Sequence, residues 1–241
     1  CDYNRAKRFN PCYLIDMALN INGTTGISGV DGSVSAPALA GSDSNTGITF
    51  PSADTIKLST GGVERMEITN NGVVTSGHVI QVAQTTKTDT FSQSMSAGGV
   101  SGAVMSLNFT PLKSDSKLLI SVVANCGGSN VSGLPRIGIQ LFAGGSIISG
   151  ARGDTGESNQ TRVASAASTV ADSTKHEFAM VNLSVMYLHT VSNTNQVTYD
   201  VRLVNLDGDS ADVKLNRMHA NNNAIWAPRA MSSITIQEVG A

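Results

Sequence analysis

VNLSVMYLHTVSNTNQVTYDVRL, residues 181–203, carries the pattern that decides the fold. Val181, Leu183, Val185 and Tyr187 take alternate positions, and after a polar break Val197, Tyr199, Val201 and Leu203 do the same. Successive side chains leave a strand on opposite sides, so period two marks strands with one face in a core. The pattern extends outward from here. Ala103–Phe109 alternates into Pro111, Lys117–Val123 is a continuous apolar run ending at Cys126-Gly127-Gly128, and Arg136–Phe142 sets Ile137, Ile139 and Leu141 on one face. Downstream follow Val213 with Leu215, then Ile234 with Ile236. Roughly eight strands joined by Gly, Asn, Ser and Asp turns predict a β-sandwich, and that number favours a jelly roll. An immunoglobulin-like sandwich is disfavoured, since no Cys…Trp…Cys framework exists.

Composition agrees. The hydrophobic fraction is 40% but the charged fraction only 14%, against roughly 25% in an average soluble domain. Ser, Thr, Asn and Gly take the place of charge, a chemistry of strands and tight turns in which helix is scarce. A formal net charge of -2 calls for neither nucleic acid nor a membrane surface. The basic cluster Arg5, Lys7 and Arg8 reads as a solvated terminus. Three cysteines, Cys1, Cys12 and Cys126, are far apart and lack C-x-x-C spacing, so they imply no disulfide framework or zinc site and fit a reducing compartment. No apolar run approaches about 18 residues, and the charged first fifteen residues form no signal-peptide core, so the expectation is a protein made in a cytosol without membrane insertion. Met17 is read as the natural start, leaving residues 1–20 as an N-terminal arm that need not be native before it.

Residues 21–78 are organised differently. INGTTGISGVDGSVSAPALAGSDSN (21–45) spaces single apolar residues, Ile27, Val30, Val34 and Leu39, among small polar ones and glycine. One chain cannot build a core from these; copies wrapped about a common axis can. Beyond it Ile56 and Leu58 alternate with Lys57 and Ser59, Gly61-Gly62 offers a turn, Met66 and Ile68 continue, and Asn70-Asn71-Gly72 supplies left-handed residues for a second turn. This small meander buries too little apolar area to offset its ordering entropy. The expected architecture is all-β: a short intertwined stalk and meander (21–78) followed by a jelly-roll-like β-sandwich head (79–241).

PALAGSDSNTGITFPSADTIKLSTGGVERMEITNNGVV, Pro37 to Val74, resembles the shaft-to-head element of bacteriophage tail fibre and related virion proteins, particularly of marine and cyanobacterial phages. The residues in common are Ser42, Asp43, Asn45, Thr46, Gly47, Ile48, Pro51, Asp54, Ile56, Leu58, Ser59, Thr60, Gly61, Gly62, Glu64, Arg65, Ile68, Gly72 and Val74. The stretch VIQVAQTTKTDTFS from Val79 is similar to the entry of the globular domain that follows such shafts. The resemblance implies a parallel homotrimer within a virion. Trimeric phage heads and tumour-necrosis-factor-like domains are the analogues for the jelly-roll topology.

Motifs of catalysis are scarce. His78, His176, His189 and His219 are scattered without H-E-x-x-H, and there is no G-x-S-x-G or phosphate-binding G-x-x-x-x-G-K-[ST]. No catalytic, cofactor-binding or metal-ligating residue is assigned, and no cofactor is called for. Asp207-Gly208-Asp209-Ser210-Ala211-Asp212 concentrates carboxylates but lacks the other ligands of a calcium loop, and Asp-Gly between strands reads as a hairpin turn. Long polar connections at Gly150–Thr174, Asp207–Asp212 and Ala220–Arg229 are the candidate receptor surfaces. Within them Arg152 and Asp154 belong to an Arg-Gly-Asp triplet, a short match expected by chance in a glycine-rich loop. Asn221, Asn222 and the single tryptophan, Trp226, sit in HANNNAIWAPR, where an indole beside amides suits either a sugar ring or a place in a core or trimer interface.

The function expected is therefore a non-enzymatic, homotrimeric virion fibre or adhesin. Its partners would be other virion proteins of tail or capsid and a host-surface carbohydrate or protein held by head loops. A capsid-decorating protein that stabilises the virion and a polysaccharide depolymerase are the alternatives.

Overall fold

The computed structural model describes residues 20–22, 26–28, 31–75, 77–130, 136–154, 156–157, 159–168 and 178–240. Arg5, Lys7, Arg8, Cys1, Cys12, Met17, Val30 and His176 lie outside them. The chain divides into two compact units, Cys1–Val74 and Thr75–Ala241; the sequence reading set the division at 78/79. Among the described residues helical geometry is confined to a 3-10 turn, Ser149–Ala151, and to Phe178, and no helix is long and apolar enough to cross a membrane.

The first unit holds two short ladders, β1 (Asn20–Asn22) with β2 (Gly26–Ser28) and β3 (Gly32–Ser33) with β4 (Ala36–Pro37). A five-stranded sheet follows in sequence order: β5 (Leu39–Ala40), β6 (Gly47–Thr49), β7 (Ile56–Thr60), β8 (Val63–Thr69) and β9 (Gly72–Thr75). Gly61 and Gly62 make the β7–β8 turn with φ of 59° and 74°, a two-residue loop whose left-handed residues match strand twist. At the next turn only Gly72 has positive φ; Asn70 and Asn71 do not, which corrects the expectation for all three. Register puts Leu39 beside Ile48, Ile48 beside Leu58, Leu58 beside Met66 and Ile56 beside Ile68, so these six share one face. The opposite face carries Lys57 between Glu64 Oε2 at 2.7 Å and Glu67 Oε1 at 3.1 Å. Two glutamates three positions apart reach one lysine because a bulge in the pairing between Leu58 and Ser59 shifts the alternation of β8.

The second unit is a jelly-roll-like sandwich of two antiparallel sheets. One sheet comprises β10 (Val79–Lys87), β11 (Phe91–Met95), β13 (Lys117–Asn130), β17 (Met180–Thr190), β19 (Ala211–Leu215) and β20 (Ser232–Val239). The other comprises β12 (Val100–Phe109), β14 (Arg136–Ala143), β15 (Ser146–Ile147), β16 (Ser165–Ser168) and β18 (Val197–Asn205). In chain order the strands pass back and forth between the sheets, β11 to β12 to β13 to β14, and β17 to β18 to β19. β13 is the spine: β17 runs along one edge, while β20 pairs Lys117–Val123 and β19 pairs Cys126–Asn130 along the other. Between the sheets Leu118, Ile120, Val122, Ile234 and Ile236 meet Ile137, Ile139, Leu141, Val201 and Leu203, all at most 1% exposed. Glu238, fully buried, closes one end: its carboxylate accepts from the amides of Leu112 and Lys113 at 2.9–3.2 Å and from the Gln81 side chain, fastening the β12–β13 connection to β20.

Three details differ from the sequence reading. β13 continues through Cys126-Gly127-Gly128 instead of ending there, and Gly127 answers a packing need: a Cβ on it would lie 2.4 Å from the Arg217 carbonyl oxygen. Asp207-Gly208 is no hairpin, because β18 and β19 lie in different sheets; Asn205 holds this crossing by donating to the carbonyls of Met95, Ser96 and Asp209 at 2.9–3.0 Å. The polar connection from Gly150 contains β16, whose SAAS sequence offers no apolar alternation but pairs with β14.

Candidate functional site

The connection between β19 and β20 is tightly held at its base and apolar at its tip. Asn216 ends β19 with φ of 62°, a left-handed conformation that asparagine tolerates better than most residues. Its side-chain amide donates to the carbonyls of Lys87 at 2.7 Å and Asp89 at 3.0 Å, and its Oδ1 accepts from Ser232 Oγ at 2.6 Å. Its backbone N–H donates to Asn125 O at 2.7 Å, and Asn125 in turn donates through its own backbone to Ser232 Oγ and through its side chain to Met231 O. A bridge between Arg217 and Arg229 and the close seat of Met218 on Gly127 complete the base. Every donor named here finds an acceptor, and the Ser232 hydroxyl and Asn216 side chain at its centre are buried, which keeps such a network rigid.

Beyond this base the chain turns its apolar side chains outward. Ile225 is fully exposed, Trp226 is 50% exposed and Met231 54%. Phe178, from the segment just before β17, meets Trp226 edge to face with centroids 5.3 Å apart and planes at 86°. The two rings line an open cleft of about 330 Å³. The T-shaped contact satisfies the ring quadrupoles and fixes the indole while leaving half of it in water. Asn221 Oδ1 accepts from the Arg229 guanidinium, and the Asn222 backbone carbonyl accepts from the Ala224 N–H at 3.0 Å, so one side-chain amide and one backbone group shape the turn that presents the tryptophan. Trp226 takes no part in the buried core cluster, which corrects the core placement; its exposed face is open to either a sugar ring or a partner copy.

Arg152 and Asp154 stand apart from this cleft. Arg152 is half-buried, its Nη2 donates to Ser149 Oγ at 3.5 Å, and its buried Nε has no partner. Asp154 is exposed and accepts from the Gly156 N–H at 3.1 Å, while Arg162 Nε donates to the Gly153 carbonyl at 2.7 Å. Among the described residues no hydrogen bond, ring contact or cleft joins either residue to Asn221, Asn222 or Trp226. Phe178, Ile225 and Met231 were not singled out from the sequence, where nothing separates an apolar residue turned outward from one turned inward.

The titratable groups elsewhere in the sandwich are engaged in structure. Asp207 accepts from the Arg136 backbone at 3.0 Å and its guanidinium at 3.3 Å. Lys214, buried, donates to Ser92 Oγ at 3.0 Å and Asp212 Oδ2 at 3.1 Å. Burial works to raise the Asp212 carboxyl, but hydrogen bonds from Lys214 and Ser94 outweigh it and hold the group below the usual range. His189 packs between Tyr187 and Tyr199, and burial depresses its pKa. Burial pushes the Cys126 thiol up to about 12, so it is inert at neutral pH. Among the described residues no three His, Cys, Asp or Glu side chains are placed to share a metal ion.

No family model matches the chain, and no curated protein matches it. Among solved structures, a chain of the infectious bursal disease virus Gx strain is similar at 12% identity and a TM-score of 0.35, over 88% of this chain and 60% of that one. The VP2 subviral particle of the same virus gives 13% identity and a TM-score of 0.30 over 78% and 48%. The Gt strain gives 12% and 0.32 over 88% and 56%. The chain thus spans at most about three fifths of these structures, and superpositions of this quality carry no argument about its role.

Proposed function

We propose that the chain is a non-enzymatic virion fibre or adhesin that assembles as a homotrimer and holds a host-surface carbohydrate or protein through the head loop between β19 and β20. The half-exposed Trp226, braced by Phe178 on a rigidly based loop, carries this reading. Large aromatic anchors at the rim of a cleft dominate binding energy because they bring much contact area at little entropic cost. Asn221 and Asn222 shape the turn that presents the ring, while Arg152 and Asp154 are a separate surface with no share in this anchor. The engagement of Asp207, Asp212, Glu238 and Lys214 in internal bonds favours binding over acid–base chemistry.

Trimerisation draws support from an apolar area on the outer side of β13 and β17, bordered by Lys117. Leu119 lies beside Leu188 and Ser121 beside Met186, and Val123, Met186 and Leu188 are 42%, 75% and 48% exposed. Three copies would multiply a weak single-site affinity. The resemblance of Pro37–Val74 to phage shaft elements supports the virion as its location, after synthesis in the host cytoplasm.

Labelled protein applied to cells of the virus's host tests the reading. Binding is expected to be saturable and to fall at least tenfold for Trp226→Ala, with Arg152→Ala unchanged. Attachment to emptied capsids with no cell binding would instead identify a capsid-decorating protein, and release of reducing sugar from host polysaccharide a depolymerase.

A further inference from the structure

We infer that the small meander carries a second, independent binding site, for a neutral pyranose, between the turn that enters β7 and the turn that leaves β8. Pairing of Ile56 with Ile68 sets these two turns side by side, and between them lies a cleft of about 370 Å³, in the range of small-molecule sites of roughly 300–1,000 Å³. One wall is apolar: Phe50, 37% exposed, with Ile56 and Ile68. The other is a row of short polar groups. Asn70 Nδ2 donates to Asp54 Oδ2 at 3.1 Å, and Ser52 Oγ donates to Thr55 Oγ1 at 3.0 Å. That arrangement leaves Asp54 Oδ1, the Asn70 carbonyl and its second amide hydrogen for a ligand. Asp54 has φ of 57°, a left-handed backbone that side-chain-bearing residues adopt rarely and that gathers at functional turns.

The lining selects the ligand class. Among the described residues no Lys, Arg or His borders the cleft, so an anionic ligand would lose its hydration without a counter-charge. A single carboxylate is too few ligands for a calcium ion, which takes about 6–8 oxygens. A wholly apolar ligand would strand the polar wall. A pyranose has a C–H face for the phenyl ring and an edge of hydroxyls, each both donor and acceptor, for the carboxylate and amide. This site shares no residue with the Trp226 cleft.

The full-length protein is titrated with methyl α-glucopyranoside, methyl α-galactopyranoside and methyl α-mannopyranoside, followed by saturation-transfer NMR and by shifts of the Asn70 side-chain amide. At least one glycoside is expected to bind at millimolar concentration and to move the Asn70 signal. Phe50→Ala should weaken it at least tenfold. Asp54→Gly should abolish it while the sheet stays folded, since glycine adopts the same φ freely; retained Gly61 and Gly62 amide shifts check this. Trp226→Ala should change nothing. Absence of binding by all three glycosides to 50-millimolar order (about 50 mM, far above the millimolar affinity of weak sites), or equal binding by Asp54→Gly, overturns the proposal.

Discussion

The two units are built from the same alternation of apolar and polar residues and reach opposite outcomes. In the sandwich, Ile120, Val122, Ile234 and Ile236 are at most 1% exposed. In the meander, no apolar side chain from Leu39 to Ile68 is buried, Leu39 and Ile56 are 41% and 37% exposed, and the best-covered residues are Thr49 and Ser59 at 1% and 2%. Alternation therefore assigns side chains to faces but does not say what covers a face. The sandwich supplies its own second sheet; among the described residues of its unit, no second sheet covers the apolar row of the meander.

Deletion of apolar bulk should separate the units most sharply. Ile236→Ala leaves a cavity in a sealed core and should cost about 2–5 kcal/mol, read as a lowered urea midpoint of Trp226 fluorescence. Leu58→Ala, on a half-covered face, should cost under about 1 kcal/mol, read from the urea midpoint of the Met66 methyl resonance in its own unit, because only part of its surface is removed from water. A loss for Leu58→Ala as large as that for Ile236→Ala would break the comparison and show that a further surface covers the meander.

Next in size are two changes that act on polar and backbone contacts of the sandwich alone. Glu238→Leu leaves the amides of Leu112 and Lys113 without their acceptor and should cost about 2–3 kcal/mol. Gly127→Ala forces a methyl group against the Arg217 carbonyl oxygen and should cost about 1–3 kcal/mol, while shifting the β19–β20 loop. Its emission spectrum, which reports on Trp226, should change even under conditions where the variant is fully folded.

Legibility of the sequence follows the same division. The strands with strict alternation and a core of their own, around Ile137, Leu183, Val201 and Ile234, were readable, as was the jelly-roll class. β11 and β16 escaped because FSQSM and SAAS reach their places through partners far away in sequence, Ala211–Leu215 and Arg136–Ile139. The Asp207-Gly208 hairpin failed because turn chemistry is local, whereas the sheet to which the next strand belongs is not. At the site, Trp226 stood out by its rarity, and Asn221 and Asn222 by their neighbourhood. Phe178 could not, since its role depends on meeting Trp226 across 48 positions of chain, and Arg152 with Asp154 drew attention through a triplet that the fold leaves unconnected to the tryptophan.

The smallest effects should come from two groups, one in each unit, whose linkage to pH has opposite sign. His189 in the sandwich has a pKa depressed by burial. As pH falls through about 6.5, the unfolded chain takes up a proton that the folded one refuses, so stability declines until the depressed folded pKa is passed. Lys57 in the meander has a pKa raised by its hydrogen bond to Glu64 and, against the opposing effect of burial, by Glu67 and the charges of both. Its contribution is complete below about 10.4 and is lost as pH rises through the raised folded value. Acid should therefore loosen the sandwich through His189 and alkali the meander through Lys57. The sandwich has a separate alkaline limb, because its buried Cys126 thiol, held up at about 12, stays protonated where the unfolded thiol ionises. The Trp226 emission midpoint in urea reports the sandwich, and the Met66 methyl resonance the meander. His189→Gln should flatten the acid limb without touching the alkaline one, and Lys57→Met should do the reverse. If either substitution flattened both limbs, the two units would have to unfold as one, and the contrast between a sealed core and an open sheet would no longer describe how this chain is stabilised.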